Sequence, residues 1–353
     1  MPCAGGGYAW RPPRVRLVGM DRLEVPDTLA SAPAAGDAAD EWWRRRAAWA
    51  AGRAAMETRV GRARKGRIAV VRAAQRLLGP ALRLAGLHGP GVRNALDLRL
   101  ERHAIELPGL PPELDGYRIL HASDLHVDVL ADATAAACRL VSGLTVDLCV
   151  LTGDYVQHAA AEPGPVVAAV RALVDAVACR DGALATLGNH DGVRLVAPLA
   201  AAGIRVLVNE TVEIRRGGGR LRVTGLDDVH RFHTAAALAA LEPGGGAVKI
   251  ALVHSPEAAA AAAAAGYALY LAGHTHGGQV CLPGGRPVAT NIRTARRQVA
   301  GLWRCGGMVG YTNRGVGVSP PPVRFNCRGE VALLTLRRPP GLARGQCGAG
   351  EAA

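Results

Sequence analysis

The chain has 353 residues, 49% of them hydrophobic, enough to bury a sizeable core in one large domain or two small ones, which excludes a wholly disordered protein. Net charge is +13, and residues 1–110 alone carry 19 Lys and Arg against 10 Asp and Glu. That basic third favours an anionic partner, either phospholipid headgroups or nucleic acid, unless it is only a solvated Arg-rich surface.

Eight cysteines, Cys3, Cys138, Cys149, Cys179, Cys281, Cys305, Cys327 and Cys347, are scattered without a C-x-x-C pair. Their spacing argues against a zinc knuckle or a dense disulfide framework and points to a reducing compartment. Residues 1–30 have Arg, Pro and acidic residues where a secretory signal needs a continuous apolar stretch. No uncharged apolar run approaches the roughly 18 residues that a membrane span needs. The expectation is a cytoplasmic protein that meets a membrane only peripherally, on its inner face.

In chain order, residues 1–40 are rich in Pro, Gly and Ala without periodicity and read as disordered. Residues 41–110 form a basic helical region. In it Trp42, Trp43 and Trp49 stand among Arg44, Arg45, Arg46, Arg53 and Arg59, a mixture suited to a membrane interface. From Arg67 to His88, a helical wheel at about 100° per residue gathers Arg72, Arg76 and Arg83 within about 40° of one another, opposite Val70, Val71, Leu77, Leu78 and Leu84. This amphipathic helix, kinked at Pro80, can dock on its own domain, on a lipid surface or on a partner protein. The proline-broken stretch Glu106 to Glu113 reads as the linker or edge strand entering the main domain, residues 111–338.

Strand and helix then alternate. Strands are expected at Tyr117 to Ala122, Asp147 to Leu151 and Ala183 to Leu187, and helices at Ala131 to Ser142, Pro163 to Cys179 and Val193 to Ala202. Further strands follow at Arg205 to Val208, Thr211 to Arg215, Arg220 to Thr224, Val248 to Val253 and Tyr267 to Leu271, the last two separated by an alanine helix. Met308 to Thr312, Val323 to Phe325 and Glu330 to Leu336 close the domain, and the Gly- and Arg-rich tail, residues 339–353, frays. The expected class is α/β, two sheets face to face and covered by helices.

Five short polar clusters each follow an apolar strand, where open α/β sheets place ligand-binding groups. They contain Asp124 and His126; Asp154; Asn189, His190 and Asp191; His254; and His274 and His276. Carboxylate, imidazole and amide donors without thiolate suit Mn²⁺, Fe²⁺ or Zn²⁺. Nine such groups exceed one ion's needs and would serve two ions sharing a carboxylate. His121 is expected to alternate away from the ligand-bearing face as a core histidine or one that supports the ligands, and Asp227 and Asp228 to lie in a solvated turn, with a place behind the ligands or facing substrate as the alternative.

The ordered set Asp124-x-His126, Gly153-Asp154, Gly188-Asn189-His190-Asp191, His254 and Gly273-His274-Thr275-His276 resembles the motifs of the calcineurin-like metallophosphoesterases. Gly277-Gly278-Gln279, Asn313 to Gly317 and Val323 to Cys327 resemble the bacterial membrane-associated phosphodiesterases of that superfamily, the branch that includes UDP-2,3-diacylglucosamine pyrophosphatase-like enzymes. The resemblance covers roughly residues 112–337. Members that begin with a hydrophobic span differ from this chain.

The resemblance implies a four-layer α/β/β/α sandwich holding two divalent ions. Asp124, His126 and His276 would hold one, Asn189, His254 and His274 the other, and Asp154 would bridge them. A metal-bridging hydroxide would attack a phosphodiester or pyrophosphate, with His190 donating to the phosphate or leaving oxygen and Asp191 orienting its ring. Arg314 would contact phosphate. The implied substrate is a lipid-linked nucleotide at an anionic membrane surface. The alternatives are a soluble nucleotide phosphodiesterase or nuclease, or a non-catalytic binding protein with a vestigial site; nucleic acid is the weaker partner.

Overall fold

The computed structural model describes residues 37–63, 78–292 and 297–339. Two six-stranded sheets dominate. The first has the order β1 (Arg99–Glu106), β14 (Glu330–Arg337), β2 (Arg118–Ala122), β4 (Leu148–Leu151), β6 (Ala183–Ala185), β7 (Ile204–Val206). The second runs β12 (Gly301–Cys305), β13 (Met308–Thr312), β11 (Leu269–Ala272), β10 (Val248–Leu252), β9 (Gly219–Gly225), β8 (Glu210–Arg216). A two-stranded ribbon joins β3 (Thr145–Val146) to β5 (Ala178–Cys179).

Period-two alternation assigns each side chain to a layer. Along β4, Leu148 and Val150 face the second sheet, whereas Cys149 and Leu151 face the helices Ala131–Val141 and Pro163–Asp175. Along β11, Leu269 and Leu271 enter the same inter-sheet core, and Tyr270 and Ala272 meet the helices Ala235–Ala239 and Ala259–Ala264. Both faces of each sheet are therefore apolar and buried, which produces the α/β/β/α sandwich.

Strands β2, β4, β6 and β7 run parallel, as do β9, β10, β11 and β13. Parallel pairing brings the loops that follow β2, β4 and β6 to one edge of the first sheet, and those that follow β10 and β11 to one edge of the second. All five polar clusters lie on these loops.

Three expectations need correction. The domain does not begin at residue 111: β1, placed in the basic helical region, pairs with β14 along its full length from Arg99↔Glu330 to Glu106↔Arg337. Its exposed residues are mostly charged and its buried ones few, as suits an edge strand, so it shows little strand-like alternation in sequence. Val323 to Phe325 is not a strand but makes one bridge, Phe325 with Val280. The strand β12 had no sequence signal strong enough to place it.

The third correction concerns the N-terminal helix α1 (Asp37–Ala63), rich in the best helix former, alanine. Its Trp49 does not face a lipid interface but packs partly against the core and donates through its indole to Asp227 at 2.8 Å. The side chains of Trp42 and Trp43, and residues 64–77, which include the first half of the amphipathic helix expected from Arg67 to His88, lie outside the described residues, as do residues 1–36 and the tail beyond residue 339. No helix among the described residues is long and apolar enough to cross a membrane.

Candidate metal centre

The loops bearing the polar clusters are sewn together by backbone bonds. Asp124 N–H donates to Gly153 O at 2.9 Å and His126 N–H to Asp154 O at 3.1 Å, joining the loops after β2 and β4. Gly273 N–H donates to His254 O at 2.9 Å, and His274 N–H crosses to Asp124 Oδ2 at 2.9 Å, joining the two sheets. The backbone itself is forced: Asp124, His126, Asp154, His274 and His276 all adopt φ between 41° and 72°. Such left-handed conformations cost non-glycine residues on the order of 1–3 kcal/mol and persist only where surrounding structure imposes them. Gly188 sits where a Cβ would strike Asp154, so only glycine lets these two loops approach.

The result is two buried donor trios. Asp124, His126 and His276 offer atoms within 4.8 Å of one another, and so do Asp154, His254 and His274. His126 Nε2 and His276 Nε2 face each other at 3.2 Å. In the second trio His254 Nε2 lies 3.2 Å from Asp154 Oδ2, 3.2 Å from Asn189 Oδ1 and 3.3 Å from His274 Nδ1. Asp154 Oδ2 also lies 3.8 Å from His126 Nε2, so this carboxylate stands between the sets. His254 Nδ1 donates to Thr152 O at 2.7 Å, which turns Nε2 towards the other donors.

Charge in this cluster is unbalanced in a way that suits cations. Burial pushes the pKa of Asp124 up to about 6, with Asp154 adding to the shift and His254 opposing it. Burial lowers His126 to about 4 and depresses His274 and His276 well below the usual imidazole range, helped by neighbouring histidines. Burial also disfavours charge on His254, yet the attraction and hydrogen bond of Asp154, with Asp124 and Asp228, raise it to about 10. Burial likewise opposes ionisation of Asp154, but His254, His190 and His126 outweigh it and hold that carboxylate well below its ordinary value. Asp124 Oδ1 is buried without a hydrogen-bond partner among the described residues. The neutral imidazoles of His126, His274 and His276 around ionised carboxylates, with an orphaned carboxylate oxygen among them, fit two divalent ions, and a cation on His254 would replace the proton that Asp154 holds there.

The remaining sequence candidates divide. His190 is half-buried beside the first trio, edge-on to His126 with ring centroids 5.5 Å apart, and its backbone N–H donates to Asp154 Oδ1 at 2.8 Å. Asp191 does not orient the His190 ring. Its carboxylate accepts backbone N–H bonds from Gly188 at 2.8 Å, Asp154 at 2.7 Å and Tyr155 at 2.8 Å, stapling two loops instead. The ring is held by Gln157, whose carbonyl lies 2.8 Å from His190 Nδ1; Gln157 N–H in turn donates to Asp128 Oδ1 at 2.6 Å.

Arg314 lies away from both trios' donor atoms in the hydrogen-bond network but at a cavity wall. Its guanidinium is ion-paired with Glu330, which accepts the Arg314 N–H at 3.1 Å and the Tyr311 hydroxyl at 2.6 Å. It lines a cavity of about 670 Å³ with Arg99, Arg297 and Arg328. His121, as expected, is buried between the sheets, 2.9 Å from Thr152 Oγ1. Asp227 and Asp228 are not solvated: both are buried, Asp227 taking Trp49 and Arg53 and Asp228 capping the backbone N–H groups of His230, Arg231 and Phe232.

Sequence reasoning missed Gln157, Arg53 and Arg324. Arg324 is fully buried and donates to the carbonyls of His276 at 3.1 Å, Arg314 at 2.6 Å and Gly317 at 2.7 Å, bracing the loop beneath a candidate ligand. No local signal separates Gln157 and Arg53 from ordinary surface residues, whereas Arg324 stands within the Val323 to Cys327 motif, which does not reveal its bracing role.

A four-layer sandwich carrying two buried His/carboxylate trios at its strand ends defines a metal-dependent phosphoesterase of the two-ion class. The family model for calcineurin-like phosphoesterase matches residues 117–278. Phosphodiesterase YaeI of Escherichia coli (strain K12) is 31% identical over 232 residues, covering 62% of this chain and 82% of the relative. Metallophosphoesterase YkuE of Bacillus subtilis (strain 168) is 29% identical over 252 residues, 67% of this chain and 84% of the relative, and YkoQ of the same organism is 28% identical over 251 residues, 68% and 91%. The chain belongs to the calcineurin-like phosphoesterase family and is a metal-dependent phosphoester hydrolase.

Proposed function

We propose that the protein hydrolyses a phosphodiester or pyrophosphate bond in a lipid-linked nucleotide, acting from the cytoplasmic side at the surface of the cell membrane. The observation that carries the reaction class is Asp154 of one buried trio reaching towards the other, its carboxylate 3.2 Å from His254 and 3.8 Å from His126. Asp124, His126 and His276 would hold one divalent ion, Asn189, His254 and His274 the second, and Asp154 both. When bound, paired divalent cations neutralise phosphoryl oxygens and lower the pKa of water towards neutrality.

The chain's own residues supply the rest. With Nδ1 of His190 donating to Gln157 O, Nε2 is the nitrogen that exchanges a proton, and once protonated it can donate to the oxygen leaving phosphorus. His254 fixes its Nε2 through Thr152, and Arg324 and Asp191 keep the ligand loops from relaxing. A phosphodiester rather than a monoester is favoured by the likeness to YaeI, which is named a phosphodiesterase.

The membrane part of the reading draws on the basic N-terminal third. Residues 78–84 are helical, with Leu84 91% exposed beside Arg83, and Leu78 and Leu87 are each 46% exposed. Apolar side chains beside arginine on a free surface suit an anionic lipid headgroup layer.

Purified protein stripped of metal and reloaded with Mn²⁺, Fe²⁺ or Zn²⁺ should cleave bis(4-nitrophenyl) phosphate faster than 4-nitrophenyl phosphate. Asp154→Ala should lose the activity, and His190→Ala should lower kcat by about 10²–10⁴-fold. Unchanged turnover in both variants would remove the site. The protein should sediment with anionic vesicles but not with neutral ones, and less so at high salt; no difference between vesicle types would reject the membrane reading.

A further inference from the structure

We propose that Arg53, on the N-terminal helix α1 and outside the stretch matched by the family model, is a positioning residue for the second metal site and for His190. The inference rests on the dinuclear reading above and adds to it a side chain that lies more than 60 residues before the matched stretch begins.

Arg53 is fully buried although it sits in a basic, mostly exposed helix. Its Nη2 donates to Gly188 O at 3.1 Å and to Asp191 O at 3.0 Å, the two carbonyls that flank Asn189 and His190. Nη1 pairs with Asp227 Oδ1, and Nε donates to Glu57 Oε1 at 3.2 Å; Glu57 Oε1 also accepts Val193 N–H at 3.2 Å. The guanidinium carbon lies 3.6 Å from the centroid of the Phe232 ring. The planar fork therefore meets the loop, a carboxylate and an aromatic face at once, which a lysine cannot do.

The loop is gripped from two sides. The Asp191 carboxylate draws Gly188, Asp154 and Tyr155 together from one side, and Arg53 holds the carbonyls of Gly188 and Asp191 from the other. Between these anchors Asn189 places its Oδ1 3.2 Å from His254 Nε2, and His190 receives its position beside Asp154. Loss of the guanidinium frees the loop on the α1 side, so Asn189 and His190 should suffer while Asp124, His126 and His276, which lie on other loops, keep their geometry.

The test uses the full chain with Arg53→Ala and Arg53→Lys. Titration with Mn²⁺, followed by electron paramagnetic resonance, should show one ion bound as in the wild type and the other weakened about 10–100-fold, the usual effect of losing a group that orients a ligand. With bis(4-nitrophenyl) phosphate, kcat should fall about 10–100-fold while KM changes less than about threefold. Millimolar guanidinium should restore part of kcat and of the weaker Mn²⁺ affinity in Arg53→Ala but nothing in Asp154→Ala.

Where Arg53→Ala does not fold, Arg53→Lys carries the same titration, and selective weakening of one ion still supports the proposal. Two wild-type Mn²⁺ affinities in either folded variant would overturn it. So would equal weakening of both ions with no recovery by guanidinium, which marks a loss of stability alone. If the wild type binds two Mn²⁺ but hydrolyses no phosphoester, the catalytic reading has failed, and the titration alone decides the role of Arg53.

Discussion

Five of the seven candidate ligands hold left-handed backbone conformations. Asp124 and His126 are pinned by Gly153 and Asp154, and His274 by Asp124. At this scale burial is decisive for His126, His274 and His276, where it removes the proton that would compete with a cation, whereas at His254 the Asp154 carboxylate outweighs it. His121 shows the same physics without a ligand role: burial lowers its pKa from 6.5 to about 3. The folded chain refuses a proton that the unfolded chain accepts, so the stability it contributes is present above about pH 6.5 and is lost as pH falls towards 3. His121→Gln should therefore flatten the acid limb of the stability curve by up to about 1.4 kcal/mol per pH unit. Urea midpoints at pH 7, 6, 5 and 4 measure this; parallel curves for the two proteins would contradict it.

Among the elements, the two sheets were legible because their strands are short apolar runs bounded by glycine and polar turns, and the five polar clusters were legible because each sits at the end of such a run. The Asp191 assignment was not, since adjacency in sequence says nothing about which way a carboxylate turns: it faces three backbone N–H groups, not its neighbour's ring. Nor was Arg53, which looks like Arg44 or Arg45 until the fold places Asp227 opposite it. The edge strand β1 was hidden by its charged residues. Its pairing with β14 has a consequence for truncation, because Ile105, Leu107 and Leu110 are all buried in the inter-sheet core. Each contributes roughly 1.5–3 kcal/mol on burial. A chain lacking residues 1–110 should unfold at a distinctly lower temperature than the full chain and aggregate through the uncovered edge of β14. An unchanged melting temperature would show that β1 adds nothing to the fold.

At the scale of the whole molecule, two parallel-stranded halves bring five loops to a common rim, three from one sheet and two from the other, and neither sheet alone carries a complete set of donors. The N-terminal helix is part of this assembly, since Arg46 donates to Val206 O at 3.0 Å and Trp49 and Arg53 both reach Asp227. The central claim is that these loops make a cage for two cations sharing Asp154. Crystals grown with Mn²⁺ and measured for anomalous scattering test it most directly. The prediction is two peaks, one about 2.0–2.2 Å from donor atoms of Asp124, His126 and His276, the other at similar distance from Asn189, His254 and His274, with Asp154 within reach of both. A single peak, or peaks away from these side chains in fully loaded protein, would contradict it.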